Sequence, residues 1–428
     1  MKSLLRAGLF ALGLLIAQFA VSAPALAVCG VASGTCFVVA AGGNSNSTST
    51  WSASSGGATC TCTPASTDAV ILDSLAGHLT VNAALSAASL DESGTGGSGS
   101  PYTNTLTINS GQTFTITGNL FKLVVGATFV GTGNLTYTST TGTLGSPTAI
   151  TFVPSHNSMA GNLTFNGTAG VFELEDGFTG TLATSGITVT AGTLDLATNN
   201  PNVTTGAITA NTASSTLNCG SGTWTIISAS SNAAWLTINA AAVSCASATI
   251  SFVNAAPTAL RGFSPGSGQS FGTLNLSGSG STSTNSWAVS IGAATGQSIT
   301  IGTLNITAPL TVEAAGGTTV NVTNAPNWSG TPTAPIVLQT SNTTGTNNSV
   351  TFGLNGSPTL TGLLLGNVAF SGVGGLTASN SVGIGNYSGI TLTAPASGGG
   401  GRIIGGFLMQ RDLPANDNYL IIFKNKVA

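Results

Sequence analysis

The stretch Ile187-Thr188-Val189-Thr190-Ala191-Gly192-Thr193-Leu194-Asp195-Leu196 alternates apolar and small polar residues on either side of a glycine step. A period of two puts successive side chains on opposite faces of a strand, one turned inward and one outward. Thr105-Leu106-Thr107-Ile108, Thr113-Phe114-Thr115-Ile116-Thr117 and Val320-Asn321-Val322 alternate in the same way. Gly, Asn, Ser and Pro punctuate these runs at short intervals, as turns require. No window after Ala27 shows helical periodicity.

The glycine step recurs. Gly-(Thr/Asn)-(Leu/Trp) opens a strand at Gly133, Gly161, Gly192, Gly222, Gly272 and Gly302. The steps lie roughly 30 residues apart, with one wider gap from Gly222 to Gly272, and a period of this size predicts stacked coils, each covering the apolar face of the next. Composition agrees. Only 4% of the 428 residues are Asp, Glu, Lys or Arg, where soluble domains carry about 25%. Equivalent side chains in stacked coils sit one strand spacing apart, about 4.8 Å, so like charges would repel while Thr, Ser and Asn ladders can hydrogen-bond. The 59 glycines and the scarcity of Glu and Lys argue against a helical protein. With Lys plus Arg at 8 there is no basic patch for nucleic acid. A hydrophobic share of 41% argues against disorder. The expected fold class is all-β: a mainly parallel right-handed β-solenoid from about residue 30 to 394, with a small C-terminal tail module. The competing architecture is an array of β-sandwiches.

Thr50-Trp51-Ser52 to Ser55-Gly56-Gly57, then Pro64 to Asp68-Ala69-Val70-Ile71-Leu72-Asp73, then Leu79-Thr80-Val81-Asn82, forms an opening unit. It resembles the first coil of secreted parallel β-helix repeat proteins of bacterial surfaces, and of tail-fibre-like proteins of environmental phages. Gly192 to Leu196 with Asn199-Asn200-Pro201-Asn202-Val203, followed by Gly222-Thr223-Trp224-Thr225-Ile226, resembles the same group. The resemblance spans most of residues 50–394 and rests on repetitive patterns. It implies a β-helix fold and a surface or fibre role. The cysteines of the opening segment stand outside the pattern.

Lys2 and Arg6, the apolar run from Ala7 to Val21 and Ala25-Leu26-Ala27 read as a signal peptide over 1–27. The run is short for a spanning helix and is broken by Gln18. Val28 before Cys29 fits a lipoprotein site poorly. The expected location is therefore secreted, extracellular or on the cell surface, with no transmembrane span after cleavage. Six cysteines in an exported chain read as three disulfides, with 15 possible pairings. Cys219 and Cys245 are expected to pair, joining neighbouring coils, with two bridges among Cys29, Cys36, Cys60 and Cys62. A zinc site from those four is the alternative, but C-x6-C and C-x-C depart from the usual spacings. The expected organisation is a disulfide-clamped N-terminal cap with the first coils over 28–100 and a solenoid body over 101–394. A Gly-rich joint follows at 395–401, then a cap or attachment strand at 402–428 around Tyr419-Leu420-Ile421-Ile422-Phe423.

The acidic cluster is Val171-Phe172-Glu173-Leu174-Glu175-Asp176-Gly177. Alternation with Phe172 and Leu174 predicts both glutamates on one outer face, where a carboxylate pair could cleave a glycosidic bond or bind calcium. A solvated turn face is the simpler reading. The basic residues of 28–401 are Lys122 and Arg261, so no lyase base is in view. His78 and His156 read as structural, and Asp68 and Asp73 as turn residues. The Thr-x-Thr pairs raise ice binding, since regular outward Thr ladders order water, but the pairs are scattered rather than held at one position per coil and strand Thr is common anyway, so ice binding is not expected. No catalytic, cofactor or metal residue is assigned. The expected function is a non-enzymatic structural or adhesive surface fibre that binds glycans or its own copies. A phage tail-fibre or receptor-binding protein comes second, and a polysaccharide-acting β-helix enzyme third.

Overall fold

The computed structural model describes residues 29–395 except 31–32, 141–147, 152–157, 181–184, 211, 229–233, 241, 255–260, 278–287, 293–294 and 341–348. The segment 1–27 expected to be a signal peptide, His156, the expected joint beyond residue 395 and the 402–428 tail lie outside the described residues. Every described element is a strand, and no helix occurs among them. The pairings between these strands are parallel throughout, with one antiparallel exception between Thr35–Val38 and Trp51–Ser52. This agrees with the all-β, parallel expectation and excludes sandwiches of antiparallel hairpins.

Each strand pairs with one about a coil earlier and one about a coil later, so the chain winds through three ladders. The first ladder takes the leading halves of Leu85–Asp91 and Thr113–Lys122, then Asn134–Tyr137, the start of Leu163–Leu174, Gly186–Asp195, Ala207–Ala210 and Ala234–Ile238. It continues to Val382–Gly383. The trailing halves of the long strands bend round a corner into the second ladder. Ser89 to Asp91 thus face Leu120 to Lys122, and Thr193 to Asp195 face Ser215–Asn218 from Thr216 onward. The third ladder runs from Gly43–Asn44 through Thr105–Ile108, Phe178–Gly180 and Thr223–Ser228.

Inward residues form columns. Leu85, Phe114, Leu135, Leu163, Ile187, Ile208, Leu236, Phe263 and Ile291 are register partners in turn, and all are buried. Each such side chain contributes roughly 1.5–3 kcal/mol on burial. Between the first two ladders, Phe114, Phe121, Tyr137, Phe165 and Phe172 form a ring cluster with centroids 5.2–6.4 Å apart.

The glycine step is not one position per coil. Gly133 and Gly161 open first-ladder strands and Gly192 enters the second, while Gly222, Gly272 and Gly302 open third-ladder strands. The wide gap from Gly222 to Gly272 is two coils, because Trp224 pairs with Ile250 and Ile250 with Leu274. Coil length is correspondingly uneven. The first-ladder coil from Leu85 to Phe114 is long, that from Phe114 to Leu135 is shorter, and that from Leu365 to Gly383 is shorter still. The apparent period is thus a mixture of full coils and of coils plus a corner. What the step marks is a corner where backbone passes close to backbone: a Cβ on Gly161 would run into the carbonyl oxygen of Gly133, and one on Gly302 into that of Gly272.

Candidate functional site

Glu173 lies near the end of the strand Leu163–Leu174, on the second ladder. The next rung puts Asp195 beside it, then Asn218, then Ser244. Glu173 and Asp195 are only 7% and 8% exposed. Glu173 thus faces away from the core column of Phe172 and Leu194, as expected, but it is covered rather than solvated, and it does not share a strand face with Glu175. The strand stops at Leu174, so Glu175 falls in the following bend and is exposed, with Asp176 half-buried beside it, while Glu173 is covered by the turn of the next coil. That turn supplies Asn199, whose Nδ2 donates to Glu173 Oε1 at 2.7 Å. Asp195 Oδ1 accepts the Ala197 N–H at 3.0 Å. Burial pushes the Glu173 carboxyl above its ordinary value; the charges of Asp195 and Glu175 add to this, and a hydrogen bond from Thr198 opposes it. Sequence proximity singles out Glu175 and Asp176. The stacking partner, Asp195, comes from the next coil, and only the coil register reveals it.

Glu173 and Asp195 stand on adjacent rungs of one sheet, and each accepts a hydrogen bond from the turn that follows Asp195. Next to the column, a shallow depression of about 280 Å³ is lined by Ala197, Asn200, Gly220, Ser221, Ser244, Ala246 and Ser247. Its lining is hydroxyl, amide and backbone, without a carboxylate. Asn200 sits at φ 51° and accepts from the Ser221 N–H and Oγ at 2.6 and 2.9 Å. The Cys219–Cys245 disulfide, whose cysteines adjoin the lining residues Gly220, Ser244 and Ala246 in sequence, joins stacked coils as expected.

The remaining sequence candidates are placed as follows. Cys29 pairs with Cys36 and Cys60 with Cys62. The sulfurs of Cys29, Cys60 and Cys62 converge within 4.8 Å, so the two bridges abut. Asp68 is wholly buried. Its Oδ1 accepts Gly34 N–H at 2.7 Å, and its Oδ2 accepts Gly30 and Ala65 N–H at 2.8 and 2.9 Å. It is a turn residue that ties the first segment to the coil beneath. Asp73 does the same for Leu75, Ser98 and Ser55. His78 Nδ1 accepts the Thr105 N–H at 3.0 Å, a coil-to-coil bond.

One acid escapes the sequence reading. Glu92, 1% exposed, receives the Val124 N–H on Oε2 at 3.1 Å, and its Oε1 has no partner. Burial, aided by the charge of Asp91 and opposed by the Val124 bond, pushes its carboxyl up to about 8. Tyr102, whose hydroxyl donates to Gly77 and Thr105 carbonyls, is pushed up by burial and by Glu92. Glu92 stands several rungs away from the depression beside Asn200, and it reads as a buried neutral acid of the fold. Among the described residues no helix is long and apolar enough to cross a membrane. No protein-family model, no curated protein and no solved structure matches the chain.

Proposed function

We propose that the chain is an exported, non-enzymatic structural or adhesive surface fibre, built as a right-handed β-solenoid after removal of residues 1–27. The hand follows from the twist of strands, which makes parallel crossovers right-handed in nearly all proteins. The observation that carries the functional reading is the nature of the surface. Three ladders present hydroxyl, amide and backbone groups over the length of the stack, and the depression beside Asn200 is lined by the same groups. Such a surface makes weak individual contacts with sugar hydroxyls or with another copy, and repetition along the stack multiplies them.

Purified chain on a glycan array, with its solution mass measured by light scattering, tests the proposal. Glycan binding weakened by Asn200→Ala or Ser221→Ala, or concentration-dependent self-association, is the expected result. A monomer that binds no glycan, together with no attachment defect on deletion, would sink it. Incubation with neutral and acidic polysaccharides tests the enzymatic alternative. Release of reducing ends or unsaturated sugars, lost in Glu173→Gln, would replace the fibre reading by an enzyme.

A further inference from the structure

Coil register brings together threonines that look scattered in the sequence. Ser86 pairs with Thr115, Thr115 with Thr136, Thr136 with Thr164, Thr164 with Thr188, Thr188 with Thr209, Thr209 with Thr237 and Thr237 with Ser264. Eight consecutive rungs of the first ladder thus carry a hydroxyl at one outward position, six of them threonine. At about 4.8 Å per rung the row runs for about 34 Å. Its hydroxyl residues are all partly exposed. Among the described residues the six threonine hydroxyls make no hydrogen bond, and no charged side chain stands in the row. Beyond three of these threonines a second follows two positions later, at Thr117, Thr138 and Thr190.

The third ladder differs. There the threonine run is only three rungs long, Thr179, Thr204 and Thr225, and beyond Ser251 the column turns to asparagines that bond to it and to each other: Asn275 Nδ2 donates to Ser251 Oγ at 3.0 Å, and Asn305 Nδ2 to Asn275 Oδ1 at 2.8 Å. The first-ladder row leaves its hydroxyls to water. It also holds them rigidly, because each threonine is flanked along its strand by buried residues, such as Phe114 and Ile116 around Thr115.

From this row we infer that the first-ladder face from Ser86 to Ser264 is a binding surface for ice. Liquid water adapts to any pattern of hydroxyls, so regularity confers nothing on a soluble surface. A crystal rewards it. Each threonine offers a hydroxyl that anchors a water and a methyl that limits where the next can lie, and the strand repeat copies this arrangement at a spacing close to the oxygen repeat of hexagonal ice. A charge in the row would hold a hydration shell that must be stripped before contact; a neutral row meets a neutral lattice. The row carries no aromatic ring on which a sugar could stack, which favours ice over a glycan as its occupant.

Full-length secreted chain is assayed for inhibition of ice recrystallisation and for uptake into a slowly growing ice hemisphere. The wild type is expected to enter ice and to arrest grain growth. Thr164→Lys and Thr188→Lys, at mid-row, are expected to raise the concentration needed by about tenfold or more, because loss of one contact breaks a multivalent match. Thr225→Lys, on the third ladder, is expected to leave it unchanged. Circular dichroism and intact disulfides establish folding. Should the lysine variants misfold, Thr164→Ser with Thr188→Ser, which lacks only the methyls, is expected to weaken inhibition about threefold by the same multivalent logic. Exclusion of the wild type from ice, inhibition untouched by the row variants, or equal loss in Thr225→Lys overturns the assignment. So does retention on an insoluble polysaccharide, or dimerisation, that the row substitutions abolish while ice activity is absent.

Discussion

Replacing Glu92 by glutamine should abolish a large part of the pH dependence of stability. The folded carboxyl titrates at about 8, against 4.5 for the free group. The neutral form is therefore favoured by the fold. Its contribution is fully present below about pH 4.5 and is lost as pH rises toward 8. Between those limits the native state holds a proton that the unfolded state has released, so unfolding free energy falls by about 1.4 kcal/mol per pH unit. From pH 5 to pH 7 the loss is about 2–3 kcal/mol. The glutamine amide would keep an acceptor for the Val124 N–H and place an NH₂ where the protonated oxygen stands, with no proton to lose. Urea unfolding of wild type and Glu92→Gln, followed by tryptophan fluorescence at pH 5, 6 and 7, is the assay. The two should be similar at pH 5, with the variant more stable by about 2–3 kcal/mol at pH 7. Parallel pH profiles for the two proteins would refute the reasoning.

Tyr137→Phe removes a buried hydroxyl that has no partner while keeping the ring stacked on Phe165; thermal unfolding should show no loss, and a gain of about 1 kcal/mol. Gly161→Ala forces a methyl against the backbone of the coil below and should cost about 1–3 kcal/mol or more, with protease cleavage appearing near residues 133–163. Cys219→Ser with Cys245→Ser opens a loop of sequence separation 26 and should cost about 3.5 kcal/mol in the chain-entropy model; an unchanged unfolding midpoint would contradict it.

The strands are readable because period-two alternation is a local property. Thr105–Ile108 appears with the same bounds in sequence and structure, and Thr113, Ile187 and Val320 all lie in strands. What lies between coils is not readable. The coil from Thr115 to Thr136 is shorter than the one from Thr136 to Thr164, so no fixed offset brings Thr136 beside both of its partners. The ice-binding row looks random for that reason. Glu173 and Glu175 read as one solvated outward pair because the alternation continues on paper, whereas the strand ends at Leu174 and the chain turns. The Glu173 partners Asp195 and Asn199 come from the next coil, and Glu92 gives no signal because an Asp91-Glu92 pair ahead of a Ser/Gly-rich stretch reads as solvated turn. Burial is decided by the coil stacked above, which the local sequence does not encode.

The Cys219–Cys245 bond has a mechanical meaning. In a stack of parallel coils each rung is held only by its neighbours, so tension between the chain ends peels coils one at a time from the outside inward. The bond rivets the coil holding Ser215–Asn218 to the one holding Ala242–Asn254. Under load this pair can be separated from the rest but not unwound, and it divides the stack into two parts that yield independently. A pulling trace should show a series of small steps, about one per coil, with roughly a coil's worth of contour length missing until a reductant is added.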